Sequence, residues 1–257
     1  MATGDTALRF TPIDSSNGES LGLTSAAFDY NEEYTVSLQA YVVDTSTGTQ
    51  TVFEIVSSTE EEDRDTLQWY YGEGFILRSV NQTGGSTDNR GYLSGLQIGA
   101  WMSVAVVRSG GALKLYVDGV DRATANITLT SRTPSTNFHI ARRLIGGISA
   151  NFGNLRAKHL KVWSRALTLD ELSRENQQGA PLDHTELYGY WPFDDGDDSD
   201  HSGNGHDFTS ENSPTVEEGP GIPLSLYAPL VIQPGSITDF VGTPEPVARI
   251  FYSIQLQ

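Results

Sequence analysis

The chain has no cysteine at all. Disulfide frameworks and thiolate metal centres are excluded at once. Small secreted animal domains often carry disulfides, so the absence points towards a bacterial or phage source. Basic residues are scarce as well: 16 Lys and Arg stand against 33 Asp and Glu, a formal net charge of −17. Phosphate binding needs clustered Lys and Arg, so this balance argues against a nucleic-acid partner and against an anionic membrane surface. No apolar run is long enough to span a bilayer, and no membrane insertion is expected. Met1-Ala2-Thr3-Gly4-Asp5 has neither a basic region nor an apolar stretch and is read as lacking a signal peptide.

Catalytic signatures are missing too. The five histidines, His139, His159, His184, His201 and His206, form no His-Glu-x-x-His helix, and no Gly-x-Ser-x-Gly elbow accompanies them. There is no phosphate loop, no dinucleotide fingerprint and no tandem repeat. Glycoside hydrolysis needs two positioned carboxylates. Glu54 stands alone in Val52-Phe53-Glu54-Ile55-Val56. The expectation is a protein that is not an enzyme.

What is present reads as β-structure. Hydrophobic residues make up 37% of 257 residues, with 26 Gly and 11 Pro to form turns. That suits one large all-β domain with a small appendage. Alternation places Tyr34, Val36, Leu38 and Ala40 on one face of a strand over 34–43. Further strands are expected at 7–10, 51–56, 138–141, 155–163 and 187–193. Hairpins are expected around Gly72-Glu73-Gly74, Ser109-Gly110-Gly111 and Asp118-Gly119. Glu60-Glu61-Glu62-Asp63 reads as a solvated loop. One helix is predicted over 168–178: Thr168 and Glu171 form a capping box, Gly179 and Pro181 end it, and Leu169 and Leu172 give it a narrow apolar stripe for a sandwich surface. The fold class is an all-β antiparallel β-sandwich with one short surface helix. Pro223, Pro229, Pro234, Pro244 and Pro246 then punctuate short apolar runs. The division is a sandwich domain over 1–221 and a Pro-rich extended tail over 222–257.

Three segments carry a family resemblance. Trp101-Met102-Ser103-Val104-Ala105-Val106 leads into Leu113-Lys114-Leu115-Tyr116-Val117-Asp118-Gly119. Leu160-Lys161-Val162-Trp163 runs on to Thr168-Leu169-Asp170-Glu171-Leu172. Gly189-Tyr190-Trp191-Pro192-Phe193-Asp194 is followed by Asp200-His201-Ser202-Gly203-Asn204-Gly205. In this order they resemble the laminin-G-like and pentraxin-like jelly rolls of the concanavalin A-like lectin/glucanase group, over roughly residues 5–215. The resemblance implies the fold; it says less about function, because one fold hosts many. Two departures matter. Lys158 and His159 stand where the family often has acidic residues, which puts any metal ligand from that strand in doubt. Met102-Ser103 replaces a His pair, a change expected to alter only surface packing.

Two candidate sites follow. The loop 194–207 holds Asp194, Asp195, Asp197, Asp198, Asp200 and Asp207, with Asn204 between two glycines. Such oxygen donors suit Ca²⁺. By resemblance Asp200 and Asn204 are the expected ligands, with Asp14 as partner; the plainer reading is a tight acidic turn without an ion. A saccharide site needs aromatic faces and hydrogen-bonding side chains. Trp69, Tyr71, Tyr92, Asn89 and Arg90 are the candidates, against the plainer reading that alternate members of Trp69-Tyr70-Tyr71 are core. Together these readings predict a lectin-like sandwich on a virion surface, as a head decoration, spike or fibre. It would recognise cell-surface polysaccharide and contact other virion proteins through 222–257 as a homo-oligomer. The alternatives are a secreted extracellular adhesin or a carbohydrate-binding accessory module.

Overall fold

The computed structural model describes residues 6–14, 17–28, 33–43, 48–57, 63–70, 74–81, 87–94, 98–126, 135–145, 148–176 and 178–219. The expected tail at 222–257 lies outside them. In chain order the strands are β1 (Thr6–Phe10), β2 (Pro12–Asp14), β3 (Asn17–Gly18), β4 (Ser20–Phe28), β5 (Tyr34–Val42), β6 (Thr49–Ser57), β7 (Asp63–Tyr70), β8 (Gly74–Asn81), β9 (Thr87–Leu93) and β10 (Trp101–Ser109). There follow β11 (Ala112–Val117), β12 (Val120–Asn126), β13 (Ser135–Ile140), β14 (Arg143–Ile145), β15 (Ile148–Ala150) and β16 (Leu155–Trp163). The helix α1 (Leu169–Glu175), β17 (Leu187–Trp191), β18 (Thr209–Glu211) and β19 (Thr215–Glu218) complete the described chain.

Two large antiparallel sheets face each other. One runs β12-β11-β10-β5-β16-β1-β19, with β17 also on β16; the other runs β18-β4-β13-β6-β7-β8-β9. The core between them takes side chains from both. Alternation decides which: Tyr34, Val36, Leu38, Ala40 and Val42 of β5 point in, as do Val104 and Val106 of β10 and Leu113, Leu115 and Val117 of β11. At roughly 25 cal/mol per Å² of buried apolar surface, this face is the main favourable contribution to folding. The β11–β12 turn needs positive φ at both central residues, and Asp118 (52°) and Gly119 (74°) supply it. At one end the sheets approach closely. A Cβ on Gly91 in β9 would lie 2.8 Å from the Thr124 carbonyl oxygen of β12, so this contact requires glycine.

The structure corrects three expectations. Asp63 is not in a solvated loop; it is a fully buried residue of β7. Alternation carries the inward face from Trp69 and Leu67 back to Asp65 and Asp63, and partners across the core make the charge tolerable there. The Arg108 guanidinium of β10 donates to Asp65 Oδ2 at 2.8 Å, Tyr34 Oη donates to the same oxygen at 2.7 Å, and Ser79 Oγ donates to Oδ1. The helix is also shorter than predicted. Its capping box at Thr168 and Glu171 forms as expected, but it ends at Glu175 with Asn176 as C-cap. Lys161 Nζ captures the carbonyls of Glu175 (2.8 Å) and Gln178 (2.9 Å), turning the chain away from the helical path. Finally, only Leu172 of the apolar pair is buried; Leu169 is 48% exposed. Leu172 joins Ala105, Val107, Trp163, Leu167, Leu187 and Tyr190 in a second apolar cluster, on the outer side of the larger sheet.

Removing one partner of a buried ion pair strands the other charge, at a cost of about 3–5 kcal/mol. Asp65→Ala is therefore expected to lower the urea unfolding free energy by about that amount. A loss below about 1 kcal/mol would show that Arg108 finds compensation elsewhere.

Candidate functional site

In the loop 194–207 the carboxylates are dispersed, each to its own donor. Asp194 accepts from Lys158 Nζ at 2.8 Å. Asp195 exchanges hydrogen bonds with Thr6, Asp197 accepts from the Ser199 backbone and from His201 Nε2, and Asp198 accepts from Ser210 Oγ. Asp207 Oδ1 accepts from the Asp200 backbone N–H at 2.7 Å. Asp200, whose side chain is fully buried, accepts on Oδ1 from the backbones of Tyr190 (3.0 Å) and Ser202 (2.8 Å). Its Oδ2 accepts from Ser202 Oγ (2.9 Å) and the His206 backbone (3.1 Å). Asn204 Nδ2 donates to the Leu187 and Tyr188 carbonyls of β17. His206 stacks on Tyr188 with ring centroids 4.0 Å apart.

The structure shows what Asp200 and Asn204 do within the chain. They clamp the loop to β17: Asp200 accepts from three backbone N–H groups and the Ser202 hydroxyl, and Asn204 Nδ2 donates to two backbone carbonyls. The Asp14 side chain lies outside the described residues. Among the described residues no three His, Asp or Glu side chains are grouped to hold a metal ion. Burial alone would raise the Asp200 pKa. Hydrogen bonds from Tyr190, Ser202 and His206 outweigh it and hold the carboxyl below the usual aspartate value.

The saccharide candidates separate. Trp69 is a core residue, 4% exposed, edge-on to Phe75 at 5.0 Å, so its ring offers no face to a ligand. Its inward parity on β7 is the reason. Tyr71 and the Asn89 side chain lie outside the described residues. Arg90 and Tyr92 are brought together: both are exposed, Tyr92 at 54%, on the same side of edge strand β9. Gly91 between them turns towards β12, and alternation sends its two neighbours the other way.

A third place was missed by sequence reasoning. Under α1, on the outer side of the larger sheet, lies a polar chamber of about 10 Å³. Gln39 Oε1, Ser103 Oγ, His159 Nε2 and Asn176 Nδ2 are buried there without a hydrogen-bond partner among the described residues. Ser103 is thus more than surface packing: Met102 points into the core and Ser103 into the chamber. The alternation of 34–43 already put Gln39 on the outer face, but nothing local announces what covers that face.

An antiparallel two-sheet sandwich with a surface helix between β16 and β17 is the architecture of a lectin-like jelly roll, related to laminin-G-like and pentraxin-like domains. The sequence model of the Concanavalin A-like lectin/glucanases superfamily matches residues 15–173, and the chain belongs to that family. No curated protein matches the sequence. Among solved structures the chain is similar to a native heptameric SAP-like pentraxin from Limulus polyphemus, with TM-score 0.61 and 15% identity over 85% of this chain and 97% of that one. A protein from Bacteroides ovatus described as carbohydrate binding gives TM-score 0.60 and 15% identity, over 84% of this chain and 60% of its own. The enzymatically active domain of tailspike protein 2 from bacteriophage CBA120 gives TM-score 0.53 and 16% identity, over 75% and 33%. At these identities the likeness is one of fold.

The Asp200 clamp has a pH signature. A carboxyl with a depressed folded pKa adds stability that is fully present above its unfolded value, about 3.9, and is lost as pH falls through the folded value. Asp200→Asn is expected to lower the unfolding free energy at pH 7 by about 2–4 kcal/mol, because buried N–H donors lose their acceptor. The gap to the parent should narrow below about pH 4. An equal gap at pH 7 and pH 3 would mean that the charge on Asp200 contributes nothing.

Proposed function

We propose that the chain is a non-catalytic carbohydrate-binding protein, displayed on a virion, whose β9 edge meets cell-surface glycan. The carrying observation is the exposed pair Arg90 and Tyr92, an aromatic face beside a guanidinium on a family-typical sandwich. A sugar ring stacks on such a face while the guanidinium donates to its hydroxyl or carboxyl oxygens. Binding rather than hydrolysis is supported by the state of the buried carboxylates. Glu54 is fully buried, 3.9 Å from both Arg64 and Arg143, and Asp65 is tied across the core. Neither faces solvent as one of the paired carboxylates of a glycosidase does.

The setting is supported by the similar folds of a bacteriophage tailspike domain and of a heptameric pentraxin. The apolar runs Leu224 to Ile232 and Ile250 to Leu256 are suited to adding a strand to a neighbour's sheet edge, so contacts to other virion proteins and the homo-oligomer are assigned to 222–257. A secreted extracellular adhesin or accessory module would use the same β9 edge and differ only in setting.

On a glycan array the parent should bind bacterial surface polysaccharide. Tyr92→Ala and Arg90→Ala should each weaken that binding about 5- to 10-fold without changing the unfolding midpoint. Unchanged binding in both variants would remove the β9 edge from consideration. Deleting 223–257 should leave a folded but monomeric sandwich by light scattering; an intact oligomer would place the assembly contact elsewhere.

A further inference from the structure

The outer side of the larger sheet carries an arrangement that the β9 edge does not explain. β16 is interrupted by a bulge: its register against β5 shifts between Lys158 and Lys161. Inside it His159 adopts a left-handed backbone, φ 51°, which a non-glycine residue holds only at a cost of about 1–3 kcal/mol. The His159 N–H donates to the Pro192 carbonyl, which pins the bulge. The bulge re-aims the His159 ring outward beneath α1, as bulges beside binding sites do. Gly179 lies against that ring, its absent Cβ only 3.0 Å away, so a larger residue would push the imidazole aside.

The ring enters a chamber with an unusual balance of groups. Gln39 Oε1 is an acceptor, Asn176 Nδ2 a donor, Ser103 Oγ can do either, and His159 Nε2 completes the set. Gln39 and Ser103 face each other directly across the β5–β10 ladder. The nearby charges are already matched: Lys161 donates to the Glu175 carboxylate at 3.2 Å, and both side chains are buried. Burial, with Lys158 adding to it, pushes the His159 pKa down to about 4, so the ring is neutral. Four buried polar atoms without partners are costly, at about 1–3 kcal/mol each, unless something from outside the chain pairs with them. The chamber, about 10 Å³, holds one oxygen atom. Ser103 and Asn176 also line a groove of about 300 Å³ that it adjoins, rimmed by Asp118, Gly119 and Ser173. That volume is at the lower end of small-ligand pockets.

We propose that this chamber and groove form a binding site for a neutral polyhydroxylated ligand, a single saccharide ring. One ring hydroxyl occupies the chamber between Gln39, Ser103, His159 and Asn176, and the ring lies in the groove beside Asp118. A hydroxyl both donates and accepts, which matches the mixed set; among the described residues lining the chamber, the one cation, Lys161, and the one carboxylate, Glu175, are already paired with each other. Among the described residues the groove has no aromatic platform, so the affinity is weak, with Kd on the order of millimolar. The site is on the sheet opposite the β9 edge and does not depend on it.

The test is NMR titration of the labelled full chain with free glucose, galactose, mannose and N-acetylglucosamine, with glycerol as the control. At least one sugar should give saturable shifts of the His159 imidazole and the Gln39 and Asn176 side-chain amides. Ser103→Ala should weaken that binding about tenfold while leaving the unfolding midpoint unchanged or raised, because it deletes an unpartnered buried hydroxyl. Gln39→Met should weaken it similarly, and Tyr92→Ala should not affect it. No sugar-dependent shift, equal shifts with glycerol, or binding unchanged in both Ser103→Ala and Gln39→Met would overturn the proposal. A chamber that merely encloses a bound water gives the first of these results.

Discussion

Arg108 reaches from one sheet and Asp65 from the other, and they meet, fully buried, between the sheets. Water cannot screen the pair, so both charges must be paired and hydrogen-bonded for the sandwich to close. Tyr34 and Ser79 complete the shell around the carboxylate. This requirement ties β5 and β10 to β7 and β8 at one end of the core. Apolar burial drives the sheets together without preferring one alignment; the Asp65–Arg108 geometry supplies direction. Its consequence is local order where four strands from two sheets must agree.

The acidic loop shows the same pairing of charge with donors. In the loop 194–207 each acid takes a separate donor, so a segment rich in negative charge becomes a set of turns and clamps. Asp200 and Asn204 hold that loop to β17, whose Trp191 in turn donates to the His206 carbonyl. The polar chamber under α1 instead gathers four of the buried polar atoms that find no partner among the described residues. A strained bulge and a glycine flank the His159 ring there.

Much of the architecture was legible from residue order. The strands β5, β10 and β11 follow from alternation, and the Asp118-Gly119 turn from its demand for positive φ. Strands such as β9 (Thr-Asp-Asn-Arg-Gly-Tyr-Leu) and β12 (Val-Asp-Arg-Ala-Thr-Ala-Asn) were not legible, because their residues favour turns or coil and they become strands only by pairing with neighbours. Asp63 misled for a related reason: charge next to Glu60-Glu61-Glu62 suggests solvent, and only a distant partner makes a buried acid acceptable. The helix start was readable in its capping box, which is local. Its end was not, because Lys161 from β16 sets it.

The sequence by itself determined the fold class, the family and the pattern of inward faces, since these depend on residues two or a few positions apart. It also named Arg90 and Tyr92, but their shared side follows only once β9 pairs with β8. Only the tertiary structure decided that Trp69 is core, that Asp200 and Asn204 are clamps, and that Gln39, Ser103, His159 and Asn176 share one chamber. Each of those outcomes depends on what lies across a sheet or beneath a helix. Hydrogen bonds and burial between segments far apart in the chain decide whether a polar side chain holds the fold or stays available to a ligand.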